Sequence, residues 1–279
     1  MADGLPAGFA TCVATVVDAQ WITPRRRRVT LAHEAIADME PGAGPAPAVR
    51  LLIPPARQPV HLPTVSADGL VYPHGAVPPT PRTFTIRRFD RTSASIDVDI
   101  VTGHAGVATE WAASVAAGAE VGVAGPKTFA PLPLASQYVL LGDESALPAI
   151  ETLLDQPGAR VAAAIEADRS HHHHLDGADW YEPDGDRPGG RLLDRLDDLV
   201  AHTADVVVWV AGETSLVREA RSRLHARPQP PCHVRAAGYW RRARTSTDLD
   251  EQLLARTREL IAAGADLTEL DDFALALPE

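Results

Sequence analysis

Along the first 125 residues, short apolar runs are broken by Pro, Gly and Asp, and several alternate apolar with polar positions. That two-residue period is the mark of a half-buried strand. The clearest case is Ser95-Ile96-Asp97-Val98-Asp99-Ile100. With the runs at Ala10 to Asp18, Arg27 to Leu31, Val49 to Ile53 and Thr83 to Arg88, it predicts the antiparallel strands of a small β-barrel. Gly106 to Ala117 reads as one helix within that unit, and Val121 to Pro126 as a strand and its stop. After Pro131-Leu132-Pro133 the pattern changes. Strand runs at Tyr138 to Leu141, Val161 to Ile165 and Asp205 to Ala211 alternate with helical segments at Ala146 to Leu154, Arg191 to Ala201 and Thr214 to Ala226. Strand, helix, strand at this spacing predicts parallel pairing through right-handed crossovers, an open α/β sheet of the kind that binds nucleotides beyond its strands' carboxyl ends. The expected organisation is a β-barrel plus α/β chain: a barrel domain over residues 1–132, a parallel-sheet domain over 133–244 and a helical extension over 245–279, with Asp248 to Ala263 amphipathic.

Composition supports two ordinary globular domains: 279 residues, 45% hydrophobic and 23% charged. No apolar run approaches the roughly 20 residues that cross a bilayer, and Met-Ala-Asp-Gly-Leu-Pro lacks the basic start of a secretory signal, so a cytoplasmic protein is expected. A net charge of −11 argues against nucleic-acid partners, which need concentrated Lys and Arg, and against an anionic membrane surface. Two basic clusters stand out within this acidic chain. Arg25 to Arg28 reads either as a solvated charge run or as a face for a small anion. Arg235, Arg241, Arg242 and Arg244 are interleaved with Tyr239 and Trp240, which makes a site more plausible there. Cys12 and Cys232 match no metal or redox spacing and read as reduced, inert thiols.

The densest chemistry lies in Arg82-Thr83-Phe84-Thr85, which puts a cation, an aromatic ring and a hydroxyl within four residues. A flavin needs these three: a counter-charge for phosphate, a flat apolar neighbour and a hydroxyl near its reactive N5. The plain alternative is a strand with one buried Phe. About 20 residues on, Gly106-Val107-Ala108-Thr109 opens a helix, whose free N–H groups and dipole favour a phosphate, with Thr109 adding a hydroxyl. Together they read as an FAD site. Gly142-Asp143-Glu144-Ser145 lies where a parallel strand turns into its helix. It reads either as a helix N-cap by Asp143 or as a loop on the nicotinamide side of a bound NAD(P), with Ser145 donating to the cofactor. His171 to His174 reads as a solvated loop with incidental metal affinity, and no metal site is assigned. The loop follows the second parallel strand, where the adenosine ribose of NAD(P) lies. There Arg169 and Ser170 suit a 2′-phosphate, whereas Glu166 and Asp168 suit a free 2′-hydroxyl.

Five segments in this order resemble the motifs of the siderophore-interacting protein family: Arg82 to Asp90, Gly125-Pro126, Gly142 to Ala149, Val210-Ala211-Gly212-Glu213 and Gly238-Tyr239-Trp240-Arg241-Arg242. The resemblance spans residues 10 to about 244. It implies a ferredoxin-reductase-like chain, with an antiparallel FAD-binding barrel followed by a parallel-sheet NAD(P)-binding domain. The implied activity is reduction of a ferric siderophore or related iron chelate, with electrons passing from NADPH or NADH through FAD and release of Fe(II). A flavin-dependent biosynthetic enzyme, or a siderophore carrier without turnover, are the alternatives on the same scaffold. On this reading Arg82 and Thr109 hold the phosphates with Gly106, Val107 and Ala108, while Phe84 lies on the flavin ring beside Thr83 and Thr85 sits at N5. Asp143, Glu144, Ser145 and Arg169 line the nucleotide site, and Tyr239, Trp240, Arg241 and Arg242 form the wall for the chelate. Phe84 stands where the family usually has Tyr, and Val107-Ala108-Thr109 where it usually has Pro-Ala-Ser, which keeps the hydroxyl. His104 is assigned no catalytic role.

Overall fold

The computed structural model describes residues 8–42, 44–66, 69–102, 105–155, 160–185, 187–200 and 205–242. His104, Arg244 and the expected helical extension lie outside the described residues. The chain forms two compact units, one ending at Pro131 and the other beginning at Leu132. Among the described residues, no helix is long and apolar enough to cross a membrane.

The first unit is a closed six-stranded antiparallel barrel. Its elements are β1 (Ala10–Thr23), β2 (Arg26–Ala32), β3 (Ala48–Ile53), a small hairpin of β4 (Thr64–Ser66) and β5 (Gly69–Val71), then β6 (Thr80–Asp90), β7 (Ser95–Val101), helix α1 (Val107–Ser114) and β8 (Glu120–Lys127). Around the barrel the order is β1-β2-β7-β6-β3-β8. The inward positions follow the alternation in the sequence: Val29 and Leu31, Val49 and Leu51, Ile96 and Val98, Val121 and Val123 are all buried in one core. The outward face departs from expectation at β7. Asp97 and Asp99 read as solvent-facing polar positions, yet both are buried.

The reason lies in the arginine run, which neither is solvated nor presents a free face. The Arg28 guanidinium donates to both oxygens of Asp99 at 2.7 and 2.8 Å, Arg26 Nε lies 4.0 Å from the same carboxylate, and Thr30 donates to Asp97 at 2.7 Å. Arg27 faces the other way. Its Nη1 donates to the carbonyls of Ala112 (2.6 Å) and Ala113 (2.9 Å), and its Nη2 to that of Val115 (2.7 Å), at the end of α1. The last carbonyls of a helix have no partner within the helix, and a cation there also suits its dipole. Arg27→Ala is therefore expected to lower the stability of the barrel by about 1.5 to 3 kcal/mol, the worth of charge-assisted hydrogen bonds, read as an earlier urea midpoint at unchanged slope. Of the four arginines, Arg25 is the exposed one.

The second unit is a five-stranded parallel sheet flanked by helices. It comprises β9 (Gln137–Asp143), α2 (Leu147–Leu154), β10 (Arg160–Glu166), β11 (Ala178–Tyr181), α3 (Gly190–Leu199), β12 (Val206–Glu213), α4 (Thr214–His225) and β13 (His233–Trp240), in the sheet order β11-β10-β9-β12-β13. The edge strands β11 and β13 were not expected. β11 has only four residues, and β13 mixes polar, charged and small residues because it lies at an edge. The interior strand β12 is buried throughout. Growth of the sheet reverses between β9 and β12, the point beyond whose carboxyl ends open α/β sheets bind their ligands. Burial pushes the Cys12 thiol up to about 11, so it is un-ionised and unreactive at neutral pH.

Candidate functional site

On β6, the antiparallel register pairs Arg82 with Leu51 and Phe84 with Val49. Arg82 and Phe84 thus share the inward face of the strand, and the Phe84 ring packs against the edge of the barrel core. Thr83 and Thr85 point to the opposite face, Thr83 exposed and Thr85 buried. The four residues are therefore split between two faces. β6 pairs with β7 only from Ile86 onward, so over Thr80 to Thr85 it has β3 on one side and, among the described residues, no paired strand on the other.

Helix α1 packs against β2, β3 and β7. Its N-cap, Gly106, has φ 152° and ψ 155°, a conformation essentially restricted to glycine, and a glycine has no side chain with which to cap the helix. Gly106 and Val107 are exposed, nothing among the described residues lies within 4 Å of where a Gly106 Cβ would be, and Thr109 is half-buried in the first turn.

The parallel sheet treats its helix starts differently, and here sequence reasoning missed the pattern. Three buried carboxylates at the carboxyl ends of three strands fill them. Asp143, ending β9, accepts from Ser145 N at 2.9 Å and Ser145 Oγ at 2.5 Å, opening the 3-10 turn Glu144–Ala146 that leads into α2. Glu213, ending β12, accepts from the N–H and the hydroxyl of Ser215 at the start of α4, and its other oxygen accepts from Arg242 N at 3.1 Å. Glu166, ending β10, accepts from Gly189 N at 2.6 Å and Arg191 N at 2.8 Å at the start of α3. The N-cap reading of Asp143 is thus realised, and the proton of the Ser145 hydroxyl is directed at Asp143. Glu144 beside them is half-exposed. Glu213 and Glu166 gave little local signal, since Glu is not among the favoured N-cap residues and Glu166 acts 23 and 25 residues away.

Burial pushes the Glu166 carboxyl above its ordinary 4.5, against the pull of the Arg191 and Gly189 N–H groups. The folded state then holds this proton more tightly than the unfolded chain. The group's contribution is most favourable below about pH 4.5 and declines as pH rises through the folded-state value. Glu166→Gln turns one acceptor into a donor facing a buried N–H. We expect a loss of about 1 to 3 kcal/mol together with removal of that declining pH component, checked by denaturant melts across the acid range.

Asp143 has further partners. Its Oδ2 accepts from Glu213 N at 2.7 Å and from the Trp240 indole Nε1 at 2.8 Å, which ties the ends of β9, β12 and β13 together. Burial pushes this carboxyl up as well, while Ser145, Trp240 and Glu213 pull it back. In β13, Gly238 pairs with Gly212 and Trp240 with Glu213, so Tyr239 is an extra residue in the strand, and such a bulge re-aims its neighbours. Tyr239 and Arg242 are exposed, and Trp240 and Arg241 half-buried.

The histidine run is not a solvated loop. Asp168 caps a turn over Arg169–His171, and His171 is buried. His172 lies on Trp180 with ring centroids 4.6 Å apart, and His173 meets the same ring edge-on at 5.5 Å while its Nε2 lies 2.8 Å from buried Glu151. His174 alone of the four is exposed, beside Asp176. The imidazoles thus hold the turn to Trp180 and α2, and among the described residues no group of three ligand-type side chains is placed for a metal. Arg169 is exposed and paired with Glu182 at 2.7 Å, whereas Glu166 and Asp168 have their oxygens turned to N–H and hydroxyl donors.

Comparison with known proteins gives the same reading of both units. Residues 15–130 match the siderophore-interacting FAD-binding domain, and residues 135–243 match the siderophore-interacting protein domain. The NADPH-dependent ferric-chelate reductase of Escherichia coli (strain K12) is 30% identical over 190 residues, 64% of this chain and 72% of the relative. The ferric acinetobactin reductase of Acinetobacter baumannii is 29% identical over 71% of this chain and 73% of its own length. A crystal structure of a siderophore utilization protein from T. fusca superposes with a TM-score of 0.72 at 30% identity, covering 85% of this chain and 95% of that one. With an antiparallel barrel, a parallel sheet and both domain profiles in the family's order, the chain belongs to the siderophore-interacting protein family.

Proposed function

We propose that the protein is an FAD-dependent reductase that takes electrons from NADPH or NADH and delivers them to Fe(III) held by a siderophore. The observation that carries this reading is a contrast among helix starts. In the parallel sheet, Asp143, Glu166 and Glu213 occupy the starts they reach, whereas α1 on the barrel begins at an exposed glycine, which has no side chain of its own to cap it. A helix start that opens on an exposed glycine offers its N–H groups and dipole to an anion.

The residues present fit FAD. Main-chain N–H groups at Gly106 to Thr109, with the Thr109 hydroxyl and the Arg82 guanidinium, would hold its phosphates. The open edge of β6 supports a flat ring lying against Phe84 on one face and meeting the Thr83 and Thr85 hydroxyls from the other. Bound there, FAD supplies the step between a two-electron donor and a one-electron acceptor, which no side chain can perform. The protein's share is to hold and orient: no acid, base or nucleophile is required. Electron balance gives one NAD(P)H oxidised to NAD(P)⁺ and a proton for two Fe(III) reduced to Fe(II), and Fe(II) leaves because a siderophore binds it more weakly. The exposed Arg242, with Arg241 and Tyr239, supplies positive charge and an aromatic surface for an anionic chelate. The names of the Escherichia coli and Acinetobacter baumannii relatives support the same chemistry.

The test is the identity of the ligand and its dependence on iron. Heat-denatured protein is expected to release FAD rather than FMN, and NAD(P)H consumption is expected to depend on added ferric chelate. Release of no flavin after attempted reconstitution would reject the proposal.

A further inference from the structure

Asp143 stands at the carboxyl end of β9, where growth of the sheet reverses and an acidic side chain is naturally read as a ligand contact. The geometry says otherwise. An ionised carboxylate offers about four lone-pair sites. Asp143 has four donors on it: Ser145 N, Ser145 Oγ, Glu213 N and Trp240 Nε1. It is 3% exposed. Its acceptor capacity is filled from within the protein, and nothing remains for a ribose, an amide or a nicotinamide.

The fourth donor shows what the carboxylate does. Trp240 ends β13, and β12 lies between β13 and β9. To reach Asp143 the indole must cross the carboxyl end of β12, over Gly212 and Glu213. The crossing is prepared from three sides. Gly212 has φ 136°, and a Cβ there would come within 2.6 Å of Asp143 Oδ2, so only glycine leaves room for the carboxylate. The extra residue Tyr239 re-aims the end of β13. Thr214 Oγ1 donates to the Trp240 carbonyl at 2.8 Å and Glu213 holds Arg242 N, fixing the main chain just after the ring. The residue is half-buried, so part of its surface stays accessible.

We propose that Asp143 is a positioning residue that holds the Trp240 indole across the end of β12, and that this ring is the surface on which the nicotinamide of the electron donor stacks. The inference rests on the reductase reading for the identity of the ligand. It moves Trp240 from the chelate wall to the nucleotide and takes Asp143 out of direct contact. A nicotinamide is flat and, once oxidised, cationic, and the face of an indole is the strongest aromatic partner for such a ring. Asp143 acts only by fixing where that face lies.

The experiment uses the full chain reconstituted with FAD, and NADP⁺ and NAD⁺ as probes, with affinity measured by calorimetry for the tighter of the two. Trp240→Phe keeps an aromatic ring but removes the N–H, and Asp143→Asn places an amide donor against N–H donors. Each is expected to weaken nucleotide binding about tenfold with flavin content unchanged, and the double variant is expected to be no weaker than the worse single one, because both changes release the same ring. The indole emission quenched by nucleotide in the wild type should be lost in Trp240→Phe. Unchanged affinity in Trp240→Phe would overturn the proposal, and that variant decides it even if Asp143→Asn does not fold. Losses that multiply to about a hundredfold in the double variant would also overturn it, since Asp143 would then act on the nucleotide independently. Nucleotide binding with the expected pattern but no iron reduction would leave this inference standing and reject the reductase reading. Failure of the wild type to bind either nucleotide would overturn both.

Discussion

Replacing Gly212 with Ala is expected to destabilise the parallel-sheet unit by about 2 to 6 kcal/mol, the sum of a strained backbone and an overpacked contact. The residue has φ 136°, and an added Cβ would meet Oδ2, Cγ and Oδ1 of Asp143 at 2.6, 2.7 and 2.9 Å. An exposed side chain would swing aside. Asp143 cannot, because Ser145, Glu213 and Trp240 hold it and it is buried. Displacing it would leave the Glu213 N–H and the start of the turn into α2 without an acceptor, so the cost falls on three strands at once. Urea denaturation of the variant should show a much earlier midpoint. A loss below about 1 kcal/mol would mean that the carboxylate is less firmly held than its four hydrogen bonds require.

The second large effect concerns the flavin. Arg82→Ala should weaken FAD binding by about 1.5 to 3 kcal/mol through loss of a charge-assisted contact to phosphate. Gly106→Ala should weaken it by about 1 to 3 kcal/mol, because alanine resists the backbone angles at the start of α1 and the helix entry must shift. The latter effect comes from the backbone angles, since nothing among the described residues lies near the Gly106 Cβ position. Titration of apo-protein with FAD measures both. Thermal melts of the apo-forms separate them: Arg82→Ala should melt close to the wild type, while Gly106→Ala should melt lower. Unchanged FAD affinity in folded Arg82→Ala would remove that residue from the site.

Much of the architecture was legible because it rests on local periodicity. The alternation over Ser95 to Ile100 gave β7, and the apolar run Tyr138 to Leu141 gave β9. What alternation cannot give is the partner across the sheet. Asp97 and Asp99 looked like solvent positions because nothing in β7 announces that Arg26, Arg28 and Thr30 of β2 cover them. For the same reason Arg25 to Arg28 looked like one charged face, when strand alternation sends Arg27 to the end of α1 and its neighbours to Asp99. The candidate site divides along the same line. The Arg82 to Thr85 motif could be proposed from the sequence because its chemistry is compressed into four residues. The carboxylate network was not: Asp143 was legible as an N-cap from two residues away, but its bonds to Glu213 and Trp240 span 70 and 97 residues. The histidine run misled because four imidazoles in a row suggest solvent or metal, whereas Trp180 and Glu151, which absorb two of them, come from β11 and α2.

The central claim is that electrons pass from a nicotinamide nucleotide to siderophore-bound iron on this chain. It is tested most directly by mixing the FAD-loaded protein anaerobically with NADPH or NADH and a ferric siderophore, and capturing Fe(II) with a ferrous-specific chelator. The expected result is about two ferrous ions for each nucleotide oxidised, with none formed when FAD is withheld. Protein that holds FAD and binds the nucleotide, yet yields no Fe(II) above the protein-free control, would contradict it.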